Sequence, residues 1–227
     1  MRYYPIFLDI KDSKVVVVGG GEVAQRKVES LLECGADIFL IGEEITDKLK
    51  ALIDTGKVHY LGQQYNDDAL EGAILVIAAT SDAELNRAVS KKAKARNILV
   101  NAVDQPEDCT FIVPSVLNRG DLLIAVSTSG KSPALAKKIR EDLETLFDHS
   151  YGTYVELLGK IREAVLSAGL PQPENRKIFT SIVESEILEA ISQNNWSRVM
   201  AVIQDKLPPE VKNTLDISDL LPKTEEG

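Results

Sequence analysis

Continuous apolar runs alternate with amphipathic stretches over the first hundred residues. Val15 to Val18 has no polar break, the pattern of a strand buried on both faces. Ala24, Val28, Leu31, Leu32 and Gly35 then recur at helical spacing, with Arg26, Lys27, Glu29 and Glu33 opposite them. "DIFLI" at 37–41 and "VHYL" at 58–61 predict two further strands, with the helix "ITDKLKALIDTG" between them and Gly56 as its stop. "AILVIAAT" at 73–80 and "ILVNAV" at 98–103 predict a fourth and a fifth strand around the amphipathic "DAELNRAVSKKAKARN". Strand–helix alternation with short connections implies a parallel sheet covered by helices, an α/β class of Rossmann-like architecture.

The pattern changes after Pro106. "CTFIVPSVLNRGDLLIAVSTS" holds two β-like runs joined by the turn-forming "NRGD", which predicts a hairpin. A helix follows, with Ser132 as N-cap and Pro133 in its first turn, striped by Leu135, Ile139, Leu143, Leu146 and Phe147. Beyond residue 150 three helical segments are expected: "YVELLGKIREAVLSAG", "RKIFTSIVESEILEAISQ" and "WSRVMAVIQDKL". The remaining "LPPEVKNTLDISDLLPKTEEG" reads as a polar, proline-punctuated tail with a mobile end.

The glycines supply the first chemistry. Gly19-Gly20-Gly21-Glu22-Val23-Ala24 fits G-x-G-x-x-A, leaving a strand and opening a helix. In a dinucleotide site Gly19 makes the tight turn, Gly21 lets a pyrophosphate approach, and Ala24 packs helix on strand. Without a ligand the same stretch is a strand–turn–helix corner. Glu43 and Glu44 follow the second strand, where a carboxylate accepts from ribose hydroxyls and repels a 2′-phosphate. That favours NAD over NADP, although both glutamates also suit the start of the next helix. Thr80 and Ser81, with Asp82, end the fourth strand beside the expected cofactor crevice or cap the following helix. Asn101 and Asp104 end the fifth; Asp104 is a candidate general base, or turn chemistry before Pro106. "STSGKSP" at 127–133 is no triphosphate loop, since Ala125 stands where that motif requires glycine. It leaves Ser127, Ser129, Gly130 and Lys131 at a helix start, a shape suited to an anion.

A net charge of -9 argues against a nucleic-acid partner. Cys34 and Cys109 are too few for a disulfide framework, which points to a reducing, cytoplasmic setting. Cys34 is expected in the core near the first helix, while Cys109 has no evident role. No apolar run reaches membrane-span length, and no metal-ligand spacing of Cys or His is present.

"PIFLDI", "VVGGGEVAQRK", "AATSD", "NAVDQPEDCTFIVPS" and "LLIAVSTSGKSPALAKKIRE" together resemble, in this order, the precorrin-2 dehydrogenase and sirohydrochlorin ferrochelatase module of the siroheme synthase family. The resemblance is close over about residues 1–150. It implies oxidation of precorrin-2 to sirohydrochlorin with NAD, with iron insertion as a second activity in some members. It implies a homodimer, and three regions: an NAD-binding domain over 1–112, a dimerisation region over 113–149 and a helical domain over 150–227. It makes Asp104 the catalytic carboxylate and Glu22, Val23, Glu43 and Glu44 nucleotide contacts. Ala102 stands where the family form carries valine. Precorrin-2 carries eight carboxylates, so Arg119, Lys131, Lys137 and Arg140 become candidate partners for them, each equally readable as a solvated charge. Its carboxylates are expected near the amides of Ser129 to Lys131. A nucleotide-sensing domain without catalysis is the alternative, and it would need neither "NAVDQP" nor the "STSGKSP" helix start.

Overall fold

A computed structural model describes residues 2–222. The described chain divides into two compact units, one formed by 2–113 with 129–131 and the other by 114–128 with 132–222.

The first unit is built on five parallel strands: β1 (Lys14–Val18), β2 (Asp37–Ile41), β3 (Val58–Gly62), β4 (Leu75–Ala78) and β5 (Leu99–Ala102), in the order β3-β2-β1-β4-β5. Three helices connect them: α1 (Glu22–Glu33), α2 (Asp47–Asp54) and α3 (Ala83–Ala95). The unbroken valine run follows from burial on both faces. Val15 and Val17 pack with Ala24 and Val28 of α1 and Leu49 of α2, while Val16 and Val18 pack with Val89 and Ala93 of α3. Side-chain alternation along a strand sends consecutive valines to opposite layers, so neither face tolerates a polar residue.

Edge strand β5 is covered by the chain that follows it. Thr110 N–H donates to the Val100 carbonyl at 2.8 Å, and Val100 N–H donates to Thr110 Oγ1 at 2.8 Å. Asn101 Nδ2 donates to the Phe111 carbonyl at 3.2 Å. These bonds satisfy strand groups that would otherwise invite another chain.

The second unit opens with the expected hairpin, β6 (Ser115–Arg119) and β7 (Leu122–Val126). Gly120, at φ +66, begins its two-residue turn, where a left-handed residue matches the strand twist. Then come α4 (Pro133–Leu146), α5 (Ser150–Ser167), α6 (Gln172–Val183), α7 (Ile187–Ser192), α8 (Trp196–Lys206) and the short α9 (Pro209–Lys212). Leu157, Ile161, Ile187, Val199 and Ile203 centre its core.

Three expectations are corrected. "RKIFTSIVESEILEAISQ" forms two helices: α6 ends at Val183, and Ser185 N–H donates to the Ile182 carbonyl at 3.1 Å, an i−3 bond in place of the helical i−4 bond. The polar tail is packed as far as it is described: Leu207, Val211 and Ile217 are buried in the helical core, and Lys160 pairs with Asp219 at 2.8 Å. The end expected to be mobile lies outside the described residues. Cys34 is exposed at the end of α1 and takes no part in the core.

Candidate functional site

Sheet register assembles the site. Val18 pairs with Ile41 on one side and with Ala78 on the other, and Ala78 pairs with Ala102. The carboxyl ends of four strands therefore form one row, and the loops after them share one edge. The order reverses at β1, whose neighbours β2 and β4 lead away in opposite directions. Such a switch point opens a crevice outside the strand ends.

Gly19, at φ +123, begins the loop after β1, and a β-carbon there would lie 2.3 Å from the Ala79 carbonyl oxygen. At Gly20 it would lie 2.2 Å from the Glu44 oxygen, and at Gly42 2.9 Å from the Gly20 nitrogen. These three glycines allow backbones to meet. Gly21 differs: its φ of -76° suits any residue, and a β-carbon there meets no atom of the described residues within 4 Å beyond its chain neighbours. Gly21 is the N-cap of α1, a position where glycine is favoured and where its bareness leaves the helix start open to a ligand. That helix is also the one without a side-chain cap among the three of this unit; Thr46 caps α2 and Asp82 caps α3. Uncapped first-turn amides and the positive end of the helix dipole suit a pyrophosphate. Val23 is half-buried and Glu22 exposed in that turn.

Glu43 and Glu44 are exposed at the end of β2, ahead of α2, whose first turn holds Asp47 instead. Thr46 N–H donates to the Gly20 carbonyl at 3.1 Å, and Thr46 Oγ1 donates to Gln25 Oε1 at 2.8 Å. The acidic loop is thus tied to the glycine turn. Dinucleotide chemistry fits this edge: a glycine turn at an uncapped helix start and acids after β2.

After β4, Thr80 is locked in place. Its N–H donates to Asn86 Oδ1 at 3.1 Å, and Asn86 Nδ2 donates back to its carbonyl at 3.0 Å. Asn86 is only 3% exposed and was missed in the sequence, although an asparagine on the apolar side of α3, in register with Val89 and Ala93, is a legible signal. Ser81 is exposed beside it. Asn101 spends its amide on Phe111 and Cys109. Asp104 is exposed at φ +60, a left-handed conformation that aspartate adopts more readily than most residues.

In the second loop region, Ser129 and Gly130 have φ values of +55 and +80, and 129–131 group with the first unit. Lys131 and Ser127 are exposed. Thr128 Oγ1 accepts from Ser132 N–H at 3.0 Å, and Ser132 caps α4. Arg119 is half-buried, its Nε donating to the Phe147 carbonyl at 2.8 Å and its Nη1 to the Asn118 carbonyl at 2.9 Å. Lys137 lies 3.8 Å from Glu141, and Arg140 pairs with Glu141 and Glu144. Among the described residues no group of three or more His, Cys, Asp or Glu side chains is arranged to hold a metal.

Residues 6–115 match an NAD(P)-binding family model, and residues 119–146 match the model described as sirohaem biosynthesis protein central. The siroheme synthase of Methylobacillus flagellatus is 42% identical over 191 residues, which are 84% of this chain and 41% of that protein. Siroheme synthase 1 of Serratia proteamaculans is 45% identical over 165 residues, 73% of this chain and 35% of that protein. The chain belongs to the siroheme synthase family. It spans less than half the length of these curated relatives. Among solved structures, SirC, a precorrin-2 dehydrogenase, matches with a TM-score of 0.74 at 26% identity, over 89% of this chain and 100% of that one. The first unit is thus the NAD(P)-binding part of a siroheme synthase family chain, and its uncapped α1 stands where such a fold receives phosphates.

Proposed function

We propose that this chain oxidises precorrin-2 to sirohydrochlorin with NAD. One observation carries the reading: the open helix start at Gly21 and Asp104 share the carboxyl edge of one sheet, in a chain that matches a precorrin-2 dehydrogenase over that protein's whole length. When bound, NAD supplies the hydride acceptor. The first-turn amides of α1 hold its phosphates, and Glu43 or Glu44 accepts from the adenosine ribose hydroxyls. Thr80 and Ser81, after β4, flank the crevice on the side of the second nucleotide. Asp104, two residues beyond β5, lies farther along that same side. Its carboxylate takes the proton that the tetrapyrrole loses as the hydride departs. The left-handed backbone keeps that carboxylate at an exposed corner, reachable by a large ligand. The amides of Ser129 to Lys131 and the Lys131 ammonium meet substrate carboxylates.

The working form is a homodimer in the cytoplasm. Val116 and Leu123 on the hairpin, and Leu135, Ile139 and Leu146 on α4, are exposed apolar side chains within the central family region and its flank. A closed twofold contact is the common way to bury such a face. Both cysteines are unpaired, and no described helix is long and apolar enough to cross a membrane.

The test is a mixture of the full chain, NAD and precorrin-2, followed by absorbance. Sirohydrochlorin should accumulate with NAD reduction. NAD binding with no turnover would overturn the reading in favour of a nucleotide sensor. Addition of ferrous iron to the same mixture asks whether siroheme forms, with iron as a second substrate.

A further inference from the structure

Asp104 sits at φ +60, a left-handed corner whose position is set by the loop around it. That loop closes through Val103 N–H to the Ala78 carbonyl at 2.9 Å, Gln105 N–H to the Ala102 carbonyl at 3.3 Å and Asp108 N–H to the Gln105 carbonyl at 3.0 Å. One sulfur atom adds further contacts across both ends of the turn. Cys109 Sγ accepts from Ala102 N–H at 3.2 Å, and its hydrogen lies within reach of two carbonyls, those of Ala102 and Gln105, each 3.3 Å from the sulfur. Ala102 ends β5, and Gln105 directly follows Asp104. The thiol therefore bridges the two ends of the turn. Burial, the largest influence, pushes the Cys109 thiol up from its ordinary value, so the sulfur keeps the hydrogen it needs to donate.

The far side of the turn is anchored as well. Gln105 is buried, and its Nε2 donates to the Ala83 carbonyl at the start of α3, 3.0 Å away. Ser90 Oγ donates to the Asp108 carbonyl, and Arg87 Nε lies 3.3 Å from Asp108 Oδ2. These bonds fix the loop to α3, and Cys109 fixes it to β5.

We infer that Cys109 is a positioning residue for Asp104: its thiol clamps the turn so that the exposed carboxylate meets the substrate in one place. The inference rests on the proposed role of Asp104 in precorrin-2 oxidation.

Cys109→Ala and Cys109→Ser should be assayed in the full chain with NAD and precorrin-2, alone and combined with Asp104→Asn. Loose placement of a reacting group lowers the rate of the chemical step more than binding. Cys109→Ala should lower kcat about tenfold while KM for both substrates stays within about twofold. Cys109→Ser, whose hydroxyl can donate to the same carbonyls, should recover much of the rate. In the Asp104→Asn background Cys109→Ala should cost nothing further, because the group it positions is gone. An equal loss in both backgrounds, or a wild-type kcat in Cys109→Ala, overturns the inference. Amide exchange separates the two layers of the argument. Faster exchange confined to 102–108 in Cys109→Ala, read also in Cys109→Ser should the alanine variant melt early, shows the clamp; unchanged exchange refutes it. An Asp104→Asn enzyme with normal turnover instead overturns the role of Asp104 while the exchange result stands by itself.

Discussion

The backbone of Gly20 presses against the carbonyl of Glu44 so closely that a β-carbon on the glycine would sit 2.2 Å from that oxygen. The turn after β1 and the acidic loop after β2 are therefore one rigid piece, joined again by Thr46 and Gln25. Neighbouring glycines in this piece have different tasks, and substitution separates them. Gly20→Ala should destabilise the fold by about 1–3 kcal/mol, the usual cost of overpacking. Gly21→Ala should leave the melting temperature unchanged, since its β-carbon enters open space, yet weaken NAD binding by about tenfold or more, the effect of roughly 1.4 kcal/mol. Thermal melts and NAD titrations of both variants provide the check. Equal NAD affinity in Gly21→Ala would remove the pyrophosphate from this turn.

NAD should bind more tightly than NADP. Glu43 and Glu44 are both exposed at the strand end, where a 2′-phosphate would meet their charge. The double change to Gln should narrow the difference by improving NADP binding. Calorimetric titration showing that wild-type protein prefers NADP would reverse the assignment.

Asp104→Asn should keep the protein folded and its NAD affinity intact. Asparagine tolerates positive φ as aspartate does, so the turn at φ +60 survives and only the proton acceptor is lost. Turnover should fall by about 10²-fold or more, the range for a missing acid–base group. Steady-state assays with precorrin-2 decide this, and near-normal turnover would take Asp104 out of the mechanism.

Leu135, Ile139 and Leu146 are 50%, 38% and 67% exposed, unusual for leucine and isoleucine on three turns of one helix. Light scattering at micromolar concentration should report twice the chain mass. Ile139→Glu should shift the protein toward monomer, because a buried unpaired carboxylate is expensive. A wild-type monomer would refute the dimer.

Local pattern was enough to give the layered α/β architecture. A four-valine run excludes a solvent-facing strand, and glycines between a strand and an amphipathic helix mark a turn that phosphates can approach. Asp104 was legible as a strand-end acid before proline, though its left-handed backbone was not. Helix-like periodicity also ran straight through Ser185, because a local switch from i−4 to i−3 backbone bonding leaves no trace in the spacing of apolar residues. Cys34 shows the same limit: its place in the sequence suited the apolar face of α1, but the helix ends one residue earlier and leaves it outside.

What the sequence determined alone was therefore periodicity, composition and the order of its motifs, since those depend on neighbours along the chain. Tertiary structure alone distinguished the glycines of this turn that meet another backbone from Gly21, which meets nothing, through contacts between residues such as Gly20 and Glu44. It also gave Asn86 and Cys109 their tasks, the first holding Thr80 and the second bridging Ala102 and Gln105. A polar side chain in a sequence has donors and acceptors but no partners; only folding, by bringing loops after different strands to one edge, assigns them.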